Sequence, residues 1–103
     1  MKDRLDIEEK HLATLLQILN EHVPEWEVWA FGSRVSGRAS RGSDLDLVLV
    51  GPEPVPIERL GALFEALEAS SLPFFVDVLD WCGIPASFRE NIEKERILIK
   101  KPA

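Results

Sequence analysis

Seven consecutive residues near the middle of the chain, Asp44-Leu45-Asp46-Leu47-Val48-Leu49-Val50, limit what it can fold into more than any other stretch. Leucine and valine at this density predict a strand, and Gly51-Pro52 ends it. Side chains alternate along a strand, so Leu45, Leu47 and Leu49 face one way and Asp44, Asp46, Val48 and Val50 the other. The leucine face demands an apolar layer of helices. The opposite face carries two carboxylates about 7 Å apart at Cα, which repel each other when both are ionised.

The rest of the chain can supply that layer. Leu12, Leu15, Leu16, Leu19 and Val23 follow helical spacing and predict a first helix from about Ile7 to His22. Asp6 reads as its N-cap, Glu9 as the capping-box partner and Pro24 as the stop. Glu27-Val28-Trp29-Ala30-Phe31 reads as a short strand ended by Gly32-Ser33. The stretch from Arg34 to Ser43 reads as a loop that opens with one helical turn. Beyond a Pro-rich connection, Ile57 to Ser70 predicts a helix with a stripe of Ile57, Leu60, Phe64 and Leu67. Phe74 to Asp80 is a third strand, a last helix from near Pro85 carries Phe88 and Ile92, and Ile97-Leu98-Ile99 closes the chain as a short strand. The strand–helix–strand crossover favours parallel pairing of the second and third strands, whereas the loop between the first two permits an antiparallel pair. The expected fold is therefore α/β (α+β): one domain over 1–103, with a small mixed sheet of three to four strands and helices on one face.

Composition narrows the functional classes. With 103 residues, 46% of them apolar and 29% charged, the chain reads as one soluble globular domain. No apolar run approaches the ~18 residues of a membrane span. The amino terminus, Met1-Lys2-Asp3-Arg4-Leu5-Asp6, is too charged for a secretory signal. Cys82 is the only cysteine, which excludes an internal disulfide and a multi-cysteine zinc site. A cytoplasmic protein with no membrane partner is expected. Twelve Lys and Arg against eighteen Asp and Glu give a net charge of −6, which argues against direct nucleic-acid binding by charge alone. An anionic ligand carried by Mg²⁺ remains compatible with that charge, because clustered acids are what such a site requires.

Four features bear on chemistry. Asp44 alone is adequately read as a solvated acid at a strand end, but Asp46 lies one pair deeper in an apolar strand and is harder to explain so. Two carboxylates on one face can hold the divalent ions that bind a triphosphate. Gly32-Ser33 after a strand lets backbone N–H groups approach a phosphate, although an isolated Gly-Ser is more often a plain turn. Arg34, Arg38 and Arg41 gather three cations in one connection of an acidic chain; a solvated loop accounts for them, and phosphate contact accounts for their gathering. Asp77 interrupts Phe74-Phe75-Val76 and Val78-Leu79, so a neighbouring strand could set it beside Asp44 and Asp46 as a base towards an attacking hydroxyl. Asp80, of opposite parity, reads as a capping or solvated residue. Trp29 reads as core, with Trp26 and Trp81 as candidates for a contact surface. Lys94, Arg96, Lys100 and Lys101 read as a solvated basic face, His11 and His22 as helix-surface residues, and Cys82 as a packed or surface thiol.

Gly32-Ser33, ten intervening residues and then Asp44-Leu45-Asp46 resemble the signature of the DNA polymerase β-like nucleotidyltransferases. The run from Phe31 to Leu47 is similar to that of their minimal, single-domain prokaryotic branch, whose members are encoded beside HEPN-domain partners in toxin–antitoxin pairs. The resemblance covers nearly the whole chain, because Val76-Asp77-Val78 falls where the third carboxylate is expected. It implies that Gly32 and Ser33 hold the β- and γ-phosphates of ATP, with Arg34 and Ser43 as further nucleotide-binding residues. It also implies that Asp44, Asp46 and Asp77 ligate Mg²⁺ and form the catalytic set, Asp77 activating the acceptor hydroxyl.

The expected function is transfer of AMP from ATP to a hydroxyl of a protein partner, a tyrosine of a HEPN-type toxin, so that the chain works as an antitoxin in a hetero-oligomer. Larger relatives append a domain for base or acceptor, so another chain, or a second copy in a homodimer, is expected to complete the cleft. The alternative is a non-catalytic module that neutralises a HEPN-type partner by complex formation. A transferase acting on a small molecule or a tRNA end fits the acidic surface least well.

Overall fold

The computed structural model describes residues 5–40 and 42–103; Arg41 and the charged stretch over 1–4 lie outside the described residues. Four strands, β1 (Glu27–Phe31), β2 (Leu45–Val50), β3 (Val76–Asp80) and β4 (Ile97–Lys100), form one sheet in the order β3-β2-β1-β4. β1 runs antiparallel to both β2 and β4, and β2 runs parallel to β3. The mixed sheet expected from the connections is the one observed.

The helices are α1 (Glu9–His22), the single turn α2 (Ser33–Ser36), α3 (Ile57–Ala69) and α4 (Ala86–Lys94). Leu15, Ile18 and Leu19 of α1 and Leu63 and Leu67 of α3 pack on Leu45, Leu47 and Leu49 together with Val28, Val76 and Val78. Burial of these side chains, at roughly 1.5–3 kcal/mol each, is the main stabilising term of the fold. α4 departs from the one-face expectation. Its Ile92 joins Trp29, Val48 and Ile84 in a second cluster on the opposite face of the sheet. That face carries Trp29, Val48, Leu79 and Leu98, too much apolar surface to leave in water, and α4 covers part of it.

Three other details differ from the sequence pattern. α1 starts at Glu9 with Glu8 as N-cap and no side-chain cap. Asp6 is drawn away from that role, because its backbone N–H donates to the Arg34 carbonyl at 2.8 Å. On α3, Ile57 is 81% exposed and Phe64 40% exposed, and the buried positions are Leu63 and Leu67. Lys100 is buried rather than solvated: its Nζ donates to the carbonyls of Pro24 (3.1 Å), Trp26 (2.7 Å) and Lys101 (3.2 Å), and burial lowers its pKa. Trp29 is core as expected, with Trp81 edge-on at 5.1 Å and the Arg96 guanidinium 3.9 Å over its ring. No described helix is long and apolar enough to cross a membrane.

Candidate active site

Sheet register assembles the site. In the parallel pair Asp46 lies opposite Asp77, and in the antiparallel pair Asp46 lies opposite Phe31. Neighbouring strands are about 4.8 Å apart, so Phe31, Asp46 and Asp77 form a row across one face of the sheet, the face that α4 partly covers. Asp44 stands just before β2, exposed, two residues from Asp46 and of the same parity. Asp46 itself is half-buried. Its carboxyl is held above the usual carboxylate range, first by burial and then by the charges of Asp77 and Asp44.

Gly32 brings the loop against this row. Its backbone lies at φ 84, ψ −158, which side chains other than glycine rarely adopt. A Cβ placed there would collide with Asp46 Oδ2 and lie 3.1 Å from Asp46 Cγ. The absence of a side chain is what lets the Gly32-Ser33 backbone pass beside the carboxylate. α2 begins at Ser33, as the predicted helical turn, and ends at Gly37, whose φ of 86 closes it in the left-handed conformation.

Arg34 goes elsewhere. It is 7% exposed, its Nε and Nη2 donate to the Ser43 carbonyl at 3.1 and 2.8 Å, and its Nη1 donates to the Asp6 carbonyl at 2.8 Å. The guanidinium lies 4.4 Å over the Phe74 ring. A buried guanidinium must satisfy its donors, and loop carbonyls do so here. Ser43 is likewise turned to its own loop, its Oγ accepting from the Ser40 N–H at 2.9 Å. Of the residues singled out from the sequence, Gly32 lies against Asp46, and Asp77 lies opposite it, with Ser33 following Gly32 and Asp44 two residues before Asp46. Arg34 and Ser43 meet each other, and together they fix the chain directly before Asp44. Asp80 is a capping residue, accepting from the N–H groups of Val55 (2.8 Å) and Cys82 (3.0 Å).

A cleft of about 180 Å³ adjoins the row, lined by Phe31, Gly32 and Arg38 on one side and Phe88, Asn91 and Glu95 of the α4 region on the other. The sequence pattern did not single out Asn91 or Glu95. The available signal was their helical spacing from Phe88 and Ile92, which places them beside an apolar stripe too narrow to bury a whole helix face.

The donors suit a hard divalent cation. Carboxylate oxygens are the ligands that Mg²⁺ takes, and like charges on Asp44, Asp46 and Asp77 are relieved when one binds. Among the described residues no three acidic, His or Cys side chains are gathered tightly enough to hold a metal ion as they stand, although the charges of Asp77 and Asp44 reach Asp46. By donor type and by placement on one face of the sheet, they fit.

The family described as "Nucleotidyltransferase domain" matches residues 12–100. The chain belongs to that nucleotidyltransferase family. It is 44% identical, over 98 residues, to a probable protein adenylyltransferase MntA of Haemophilus influenzae; the match covers 95% of this chain and 86% of that protein. The nucleotidyltransferase fold is matched by a solved toxin–antitoxin structure with AMP-PNP, at TM-score 0.73 and 20% identity over 87% of this chain and 73% of the other. A second match is to a tri-AMPylated HEPN toxin of Shewanella oneidensis in complex with an MNT antitoxin, at TM-score 0.70 and 17% identity, covering 92% of this chain and 73% of that one. Both structural likenesses establish the fold. The nucleotidyltransferase is thus an enzyme of a family whose chemistry employs divalent metal.

Proposed function

We propose that this nucleotidyltransferase is Mg²⁺-dependent and moves AMP from ATP to a hydroxyl of a protein partner, a tyrosine of a HEPN-type toxin, and thereby acts as an antitoxin. The observation that carries the reading is the pairing of Asp46 with Asp77 across β2 and β3, with Gly32 held against Asp46. The named relative, a probable protein adenylyltransferase, and the toxin complexes among the structural matches support the choice of donor and partner.

Gly32 and Ser33 bind the β- and γ-phosphates, their backbone approach made possible by the missing side chain at Gly32. Asp44, Asp46 and Asp77 would hold Mg²⁺, which would supply neutralisation of the phosphate charge. Asp77 takes the proton of the acceptor hydroxyl. The freed oxygen bonds to the α-phosphorus, the bond from that phosphorus to the bridging oxygen of the β-phosphate breaks, and pyrophosphate leaves. The chain contributes positioning and charge balance rather than a covalent intermediate. Its Arg34–Ser43 contact sets where Asp44 stands relative to the other two acids.

ATP labelled on the α-phosphate, incubated with the chain, Mg²⁺ and lysate of its source, tests this. A labelled protein band that is absent with γ-labelled ATP and absent with Asp46→Asn is expected; labelling that survives Asp46→Asn refutes the mechanism. If the Asp44→Asn, Asp46→Asn double variant still protects a poisoned host, the non-catalytic reading of toxin neutralisation takes its place.

A further inference from the structure

The β1–β2 loop carries another arginine whose surroundings are the reverse of those of Arg34. Arg38 is exposed, and among the described residues its side chain makes no hydrogen bond or ion pair. Its backbone is nevertheless anchored. Gly37, at φ 86, turns the chain back at the end of α2, and the Arg38 N–H donates to the Ser33 carbonyl at 3.2 Å. Arg38 thereby lines the cleft that contains Gly32, and Phe31 in the same cleft is the cross-strand partner of Asp46. Phe31 and Phe88 meet edge to face at 6.0 Å and form an apolar wall, beside which a charge–charge contact is screened less than in open water.

We propose that Arg38, not Arg34, is the cation that pairs with the terminal phosphates of the nucleoside triphosphate. The proposal rests on the nucleotidyl-transfer reading and deepens it. Arg34 is committed to the Asp6 and Ser43 carbonyls and lines a different cavity, with His11 and Phe74. Arg38 has donors without a partner among the described residues, a backbone tether to Ser33, and a planar fork that matches phosphate oxygens. Glu95 on the facing wall opposes an anion there, so its charge tunes the affinity.

The test is calorimetric binding of Mg·ATP, Mg·tripolyphosphate and AMP to the full chain and to its Arg38→Ala, Arg38→Lys and Glu95→Gln variants. Arg38→Ala is expected to weaken ATP and tripolyphosphate roughly tenfold and leave AMP unchanged, because one charge-assisted contact is lost. Arg38→Lys recovers part of the loss, and Glu95→Gln tightens both polyphosphates. Equal tripolyphosphate affinity in Arg38→Ala and the parent overturns the assignment while nucleotidyl transfer stands. A uniform loss for all three ligands marks a structural role and overturns it too. A parent chain that binds neither ATP nor tripolyphosphate removes the underlying reading of the site.

Discussion

Replacing Arg34 by Met keeps a long apolar stem against Phe74 and removes every donor. Three hydrogen bonds disappear, two to the Ser43 carbonyl and one to the Asp6 carbonyl, together with the cation over the Phe74 ring. A hydrogen bond to a charged group contributes about 1.5–3 kcal/mol, and the paired bonds to one oxygen are not additive. Water reaches the half-buried Ser43 and offsets part of the loss, so the expected destabilisation is about 2–4 kcal/mol. Against a total stability of about 5–15 kcal/mol this is a large fraction. With a slope of about 2 kcal/mol/M, the urea midpoint falls by about 1–2 M. Urea unfolding followed by the fluorescence of Trp26, Trp29 and Trp81 measures it, and Arg34→Lys, which restores the charge without the fork, recovers only part. A loss below about 0.5 kcal/mol, the range of ordinary surface substitutions, refutes the structural assignment of Arg34.

Gly32→Ala meets both the positive φ and Asp46 Oδ2, so a cost of about 1–3 kcal/mol in urea unfolding and loss of transfer activity are expected. Because the Asp46 pKa is raised in the folded state, the folded protein binds this proton to higher pH than the unfolded chain. Stability therefore falls as pH rises from the ordinary carboxylate range through the raised value, and Asp46→Asn removes that slope and raises Tm at neutral pH. Scanning calorimetry from about pH 4 to 7 checks the slope, and added Mg²⁺ is expected to raise Tm in the parent but not in Asp46→Asn. Ile92→Ala empties the anchor of α4 at a cost of about 2–4 kcal/mol, read by thermal unfolding.

The strands, the crossover and the acidic face of β2 were legible in the sequence because strand alternation and loop length are local properties. So were Gly32, by its place after an apolar strand, and Asp77, by its interruption of one. The run from Phe31 to Leu47 pointed to the family, and the match over 12–100 shows it. Helix faces were less legible where apolar residues outnumber the buried positions, as with Ile57 and Phe64 on α3. α4 could not be placed from its own pattern, because which face of the sheet a short helix covers depends on what the other helices leave open.

Residue type and spacing by themselves determined that Asp44 and Asp46 have the same parity at the start of β2, that a third acid lies in another strand, and that a Gly-Ser step precedes them. Only the tertiary structure decided that Asp77 stands directly opposite Asp46, since register is a property of two strands. It also separated arginines that look alike in sequence: Arg34 turns inward to the carbonyls of Asp6 and Ser43, and Arg38, without a side-chain partner among the described residues, lies beside Gly32. A guanidinium goes where its donors are satisfied, and for Arg34 the partners at Asp6 and Ser43 are brought within reach only when the chain has folded.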